Sequence, residues 1–258
     1  MSSYKPETEE GLLASLLRAS RVVVFTGSGV SAESGVPTFR DAQTGLWANF
    51  DATELATPDA FRRDPALVWG WYEWRRAVVQ KAQPNAAHRA IAAMASRVPT
   101  FTLITQNVDD LHERAGSRDV LHLHGRLARP YCEQCSEPWT LPEQPSLAAE
   151  GTRIEPPACM GCGGRVRPGV VWFGESLPER EWLAATEAAG QCDVFFCIGT
   201  SSLVYPAASL TGIAMSAGAV TVQINPNPTE IDEAVTWSIR GAAGEVLPRI
   251  VEEAWGAS

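Results

Sequence analysis

Three absences narrow what this chain does. No uninterrupted apolar run reaches the roughly 20 residues that a helix needs to cross a bilayer, so no membrane span is expected. The N-terminal stretch MSSYKPETEEG has no basic start followed by an apolar core, so no export signal is read there and the expected location is cytoplasmic. Positive charge is in deficit: 21 Lys and Arg stand against 30 Asp and Glu, a formal net charge of −9. Nonspecific binding to nucleic-acid phosphates needs the opposite balance, so no direct nucleic-acid contact is expected. No internal repeat is apparent. What is left is an ordinary globular composition, 45% hydrophobic and 20% charged, in a chain long enough for one large core plus a small appended module.

The stretch Arg21 to Arg40, RVVVFTGSGVSAESGVPTFR, organises the rest. Val22 to Phe25 is a short β-branched, apolar run suited to a fully buried parallel strand. It breaks into Gly27-Ser28-Gly29-Val30-Ser31-Ala32, which matches the G-x-G-x-x-G/A turn of dinucleotide sites. In that turn Gly27 permits a tight bend, and Gly29 lets backbone approach a pyrophosphate. A tight strand-to-helix turn with no ligand is the alternative for so short a match. A plain dinucleotide fold would continue with a second strand ending in an acidic residue. Here that element is missing. Gly35-Val36-Pro37-Thr38-Phe39-Arg40-Asp41 instead makes a long loop carrying an aromatic and a cation, which disfavours simple hydride transfer.

This stretch resembles the first motif of the sirtuins, NAD-dependent protein lysine deacylases, of the form G-A-G-[IV]-S-x-E-S-G-[IV]-P-[TD]-F-R. Gly27 to Arg40 matches it except at Ser28, where the family has alanine. The resemblance implies that Gly27, Ser28, Gly29, Ser31, Glu33, Thr38, Phe39 and Arg40, with Trp47 beyond them, bind NAD.

Six cysteines include two C-x-x-C pairs, Cys132/Cys135 and Cys159/Cys162. Two such knuckles at this separation read as a tetrahedral, structural Zn2+ site. With no export signal, disulfides are the poorer explanation. Cys192 and Cys197 flank Val194-Phe195-Phe196 and read as small buried hydrophobes.

Periodicity predicts helices over residues 7–19, 65–80 (opened by Pro65), 86–97 (capped by Asn85), 109–115, 178–188, 206–216 and 246–254. Strands are predicted at 22–25, 100–105, 120–123, 193–198 and 219–224. Alternating strands and helices predict an α/β fold, a Rossmann-like parallel sheet with helices on both faces. The expected division is residues 1–41, 77–128 and 168–258 for the NAD-binding domain. A helical insertion (42–76) and a zinc-binding module (129–167) then form a smaller domain.

Ligands bind such sheets at the carboxyl ends of the strands. Those ends read Gly27-Ser28-Gly29, Gln106-Asn107-Val108-Asp109, His124-Gly125, Gly199-Thr200-Ser201-Ser202 and Asn225-Pro226-Asn227. Five polar or glycine-rich ends on one edge suit a long ligand with phosphates and riboses. Among the four histidines, His88 and His112 fall on predicted helices and read as surface or packing residues. Spacing alone leaves His122 and His124 equivalent.

The resemblance to sirtuins covers essentially the whole chain and separates them. Thr105 to Asp109 resembles T-Q-N-[IV]-D, so Gln106, Asn107 and Asp109 are implied to hold the nicotinamide ribose and amide. His124-Gly125 resembles the pair that supplies the catalytic base. Gly199, Thr200, Ser201, Asn225, Pro226, Asn227 and Ala243 are implied contacts to the rest of NAD. Val171-Trp172-Phe173-Gly174-Glu175 resembles the stretch that pairs with the acyl-lysine peptide. Val68 to Arg76 resembles the subclass that accepts succinyl- and malonyl-lysine, with Tyr72 and Arg75 on the acyl carboxylate and Ala56 making room. Free lysine, nicotinamide and O-acyl-ADP-ribose are the implied products, acyl-lysine proteins the implied partners, and a monomer the default state. A mono-ADP-ribosyltransferase or NAD glycohydrolase, and a non-catalytic NAD- or zinc-dependent module, are the competing readings.

Overall fold

The computed structural model describes residues 6–38, 51–141 and 151–256. The chain opens with α1 (Pro6–Arg18), β1 (Arg21–Thr26) and α2 (Gly29–Ala32). Next come α3 (Ala52–Leu55), α4 (Pro58–Arg63), α5 (Pro65–Lys81) and α6 (Ala86–Ala95). Then the chain forms β2 (Thr100–Thr105), α7 (Leu111–Arg114) and β3 (Leu121–His122), and after them the short pair β4 (Tyr131–Cys132) and β5 (Val166–Arg167). The last part holds α8 (Glu179–Gln191), β6 (Val194–Ile198), α9 (Ser209–Ser216), β7 (Val220–Asn225), β8 (Trp237–Arg240) and α10 (Ala243–Trp255).

Six strands form one parallel sheet in the order β3-β2-β1-β6-β7-β8. The chain reverses direction of growth between β1 and β6, and that switch point opens a crevice at the carboxyl ends. Strand residues alternate between two cores. Val22 and Val24 of β1, with Phe196 and Ile198 of β6, face the side covered by α1, α6 and α10. Val23, Phe25, Phe195 and Cys197 face α8 and α9. Both faces are apolar because both are covered, and each buried Val or Phe contributes about 1.5–3 kcal/mol. Cys192 and Cys197 pack here as hydrophobes, and burial pushes both thiols up to about 11. No helix among the described residues is long and apolar enough to cross a membrane.

A third core joins α3, α4 and α5 to Leu127, Val170 and Trp172. The starts of these helices are locally encoded: Thr57 accepts the Ala60 N–H, and Asp64 accepts that of Leu67, ahead of Pro58 and Pro65. Asn85 completes a capping box on α6 with His88. β4 and β5 pair antiparallel outside the main sheet. α5 runs unbroken across the expected 76/77 boundary. Its Gly70 lies against residues 152–154, where a Cβ would overlap the Thr152 carbonyl oxygen and where Ile154 N–H donates to Ala66 O at 3.0 Å.

Several boundaries differ from the sequence expectation. α7 begins at Leu111, because the Asp109 carboxylate takes the Leu111 N–H at 3.1 Å and stands outside the helix. α10 begins at Ala243, capped by Glu33, whose carboxylate accepts the Gly244 N–H at 2.9 Å. α9 starts three residues after Pro206, and the strand expected at 120–123 pairs over only Leu121 and His122. β8 has no counterpart in the sequence expectation; as an edge strand it buries only Ile239, which leaves no alternation to read.

Gly70→Ala tests the seat of α5. Alanine is the better helix former by about 1 kcal/mol, yet the variant should melt at lower temperature than the parent, as read by circular dichroism. An unchanged or raised midpoint would refute the packing argument.

Candidate active site

The crevice at the switch point is a cavity of about 920 Å³, at the upper end of small-molecule sites. Its floor is made where two turns meet. Gly27 N–H donates to Ile198 O (3.0 Å), Gly29 N–H to Gly199 O (2.8 Å) and Gly199 N–H to Ile224 O (3.0 Å). A Cβ on Gly27 or Gly29 would come within 2.8 Å and 2.7 Å of the Gly199 carbonyl oxygen. Both glycines are thus required by the neighbouring turn; neither has a positive φ, whereas Gly199 does, at 60°. Ser28 lines the cavity, and its hydroxyl makes no capping bond to α2.

From β2 the chain delivers a hydrogen-bonded relay. Asn107 Nδ2 donates to Ser31 Oγ (3.0 Å), and Ser31 donates to Asp109 Oδ2 (2.9 Å). Burial raises the Asp109 pKa, against the Leu111 N–H and Ser31 bonds that favour its anion. The Asn107 N–H is held by Thr105 Oγ1 (3.0 Å), which also accepts from Thr26 (2.8 Å). His112 Nε2 lies 3.0 Å from Thr26 Oγ1. On the other flank, Gln106 donates to Thr200 Oγ1 (3.0 Å) and Asn225 to Thr200 O (2.8 Å).

The histidines now separate. His124 Nδ1 lies 3.1 Å from Gln106 O. A carbonyl only accepts, so Nδ1 carries the proton and Nε2 keeps its lone pair. Burial lowers the pKa of His124 and so favours the neutral ring; the bond to Gln106 O opposes this, favouring the charged form. His122 has both ring nitrogens engaged, with Asn107 O (3.0 Å) and Glu113 Oε1 (2.8 Å). Only His124 of the two lines the cavity. His88 and His112 are packing residues, with ring centroids 4.8 Å apart.

At the far end Ala56, Tyr72 and Arg75 line the same space. The Trp172 indole N–H donates to the Tyr72 hydroxyl at 3.0 Å. Burial pushes the Tyr72 pKa up to about 12, opposed by Arg75, and lowers that of Arg75. The Arg75 guanidinium stands 5.1 Å from the Trp71 ring centre and 5.8 Å from that of Tyr72.

Away from the cavity, the Sγ atoms of Cys132, Cys135, Cys159 and Cys162 all lie within 4.8 Å of one another. Three of the pairs measure 3.5–3.6 Å. A tetrahedral zinc with bonds of about 2.3 Å sets sulfurs about 3.8 Å apart, so the donor set fits. Gln134 and Gly164 N–H groups donate to Cys132 and Cys162 Sγ, both at 3.4 Å, as thiolate ligands require.

Residues 27–206 match the model of the Sir2 family. The chain belongs to the Sir2 family. It is 56% identical over 247 residues to the NAD-dependent protein deacylase of Methylococcus capsulatus, covering 95% of this chain and 97% of that one. NAD-dependent protein deacylase 1 of Pseudomonas aeruginosa is also 56% identical, with 93% and 96% covered. Among solved structures, a Sir2 homolog–NAD complex superposes with a TM-score of 0.88 at 45% identity, covering 95% of this chain and 93% of that one. A Sir2–p53 peptide–NAD+ complex does so with 0.81 at 29%, covering 95% and 97%.

In this Sir2 chain every described candidate for the NAD and acyl-lysine sites lines the one cavity, from Gly27 to Ala243 and from Ala56 to Glu175. Phe39, Arg40 and Trp47 lie outside the described residues. Leu203, Val204 and Tyr205 line it too, although the sequence reading ends at Ser202; the same loop simply continues. Thr26, which anchors the relay from beneath, carries no signal of its own beyond its place at the strand end.

The buried histidine pair makes stability pH-dependent. Burial, mainly, pulls His88 down to about 4 and His112 to about 3, from 6.5. Each is neutral when folded, so unfolding takes up protons below pH 6.5. The stabilisation is complete above 6.5 and is lost as pH falls towards 4 and 3. The denaturation midpoint should drop across that window, and His88→Gln should flatten the slope; an unaltered slope would contradict the assignment. Chelation at neutral pH should separately lower the midpoint, since zinc binding adds to folding free energy.

Proposed function

We propose that this Sir2 protein is an NAD-dependent protein lysine deacylase that acts on acetyl-lysine and also on succinyl- and malonyl-lysine. The observation that carries this reading is one cavity holding His124, with Nδ1 tied to Gln106 O, the Asn107–Ser31–Asp109 relay, and the Tyr72–Arg75 pair. The deacylase names of the relatives support the reaction class, and this geometry supports the residue roles that the resemblance implies.

NAD would supply an anomeric carbon already bonded to a cationic leaving ring, and the acyl-amide oxygen would displace nicotinamide from that carbon. The polar edge fits it: Gly27 and Gly29 present bare backbone at the floor of the cavity, and Gln106, Thr200 and Asn225 form a bonded row along its rim. Asn107 and Asp109 would orient the ribose and stabilise charge that grows as the ring leaves. His124 Nε2 would take a proton from a ribose hydroxyl, whose oxygen adds to the acyl carbon; loss of the lysine amine and uptake of water would then leave O-acyl-ADP-ribose. Val171 to Glu175 lies along the acyl-lysine main chain, and Val171 N–H is anchored to His124 O at 2.9 Å, so the peptide strand and the base share one support. Arg75 and Tyr72 grip a carboxylate at the end of the acyl chain, with Ala56 leaving room. The four cysteines hold zinc structurally, since none lines the cavity. With these roles goes the division into a sheet domain (1–41, 77–128, 168–258), a helical insertion (42–76) and a zinc module (129–167).

Two measurements test the roles. His124→Ala should lower kcat/KM by about 10²–10⁴-fold, with the folded state retained by circular dichroism. Because the neutral ring is the working form, activity should fall with acid only below pH 6.5; an acid limb above 7 would contradict it. Arg75→Met should cost on the order of 2–5 kcal/mol towards succinyl-lysine peptides and much less towards acetyl-lysine. Equal losses would remove the acyl-carboxylate pocket, and ADP-ribosylated protein as the product would favour a transferase instead.

A further inference from the structure

We infer that Trp172 sets the hydrogen-bond polarity of Tyr72, and with it the preference for acyl groups that end in a carboxylate, and that Arg167 of β5 holds the indole in place for this purpose. The inference rests on the acyl-pocket reading above and deepens it.

An indole N–H can only donate. At 3.0 Å from the Tyr72 oxygen it occupies an acceptor position on that oxygen. The phenol is left to use its own hydrogen as a donor, beside the guanidinium of Arg75 on the same helix. A phenol O–H and a guanidinium side by side are donors that a carboxylate can use, and a terminal methyl makes no use of them. Were the indole nitrogen absent, the buried hydroxyl would be free to rotate, and its donor direction would no longer be set.

The indole is held at both ends. The Arg167 guanidinium stacks over it at 3.6 Å from the ring centre, and the Phe61 ring lies 5.2 Å away. Glu175 accepts two bonds from Arg167, at 2.6 and 2.9 Å, and a third from the Trp172 backbone N–H at 2.8 Å. Arg167 also donates to Val170 O at 3.2 Å. Trp172 and Tyr72 are 2% and 5% exposed, so little water competes for the bond. Arg167 pairs across β4–β5 with Tyr131, the neighbour of the zinc-ligand candidate Cys132, so the acyl pocket is braced from the zinc module. Trp172 and Arg167 are positioning residues.

The test is a double-mutant cycle on selectivity, the ratio of kcat/KM for a succinyl-lysine peptide to that for the acetyl-lysine peptide of the same sequence. Trp172→Phe keeps an aromatic ring and drops the N–H; it should cut the ratio about tenfold, mainly through KM for the succinyl peptide. In the Y72F background the same change should move the ratio by less than about twofold. An equal fall in both backgrounds means that Trp172 acts through packing and overturns the inference, as does an unchanged ratio in W172F. Arg167→Met, assayed in the same two backgrounds, should show the same pattern and serves if W172F does not fold. R75M separates the levels: if it lowers the ratio while W172F and R167M do not, only this inference fails. If the parent does not turn over the succinyl peptide, or R75M lowers both substrates equally, the pocket reading fails and this one with it.

Discussion

Two backbone turns touch at the centre of the molecule, and the rest of the site depends on that contact. Where β1 and β6 end side by side, Gly29 and Gly199 meet at a distance that no Cβ tolerates. A parallel sheet diverges on either side of such a switch point, so the crevice there opens without any special loop. The turn contact closes its floor. The neighbouring strand ends then carry their polar groups to the rim, with Ser31 bonded to both Asn107 and Asp109 and Thr200 bonded to both Gln106 and Asn225.

Much of this is legible in the amino-acid order, for identifiable reasons. Parallel strands covered on both faces must be apolar on both faces, and the runs at 22–25 and 194–198 announce themselves as such. A C-x-x-C knuckle encodes its own geometry within four residues. Helices opened by Asp64-Pro65 or Asn85 are marked by the residue that caps them. The strand ends carry the site because topology puts them there, so the few residues at the carboxyl end of each strand already make up much of the cavity lining.

The features hidden from the sequence depend on partners distant along the chain. α10 gains its first turn from Glu33, 211 residues before Gly244, so no local rule finds its start. β8 exists because β7 offers an open edge, and a single buried Ile239 leaves no period. The reason for the glycines differs as well: Gly27 and Gly29 make room for Gly199, a demand that the motif read alone attributes to a bend and a ligand. His122 and His124 are alike by spacing, and only three-dimensional partners distinguish a ring with both nitrogens engaged from one tied at Nδ1.

α5 is a single rod of 17 residues that meets residues 152–154 at Gly70 and carries Tyr72 and Arg75 at its middle. Near its far end, Arg114 of α7 donates to the carbonyl oxygens of Val79 and Ala82. A helix held at two points along its length cannot slide or roll without dislodging one of its bearings. If the proposed acyl pocket is where Tyr72 and Arg75 stand, a change of acyl preference would come from exchanging side chains in place along the helix and at Trp172, while the axis itself stays put.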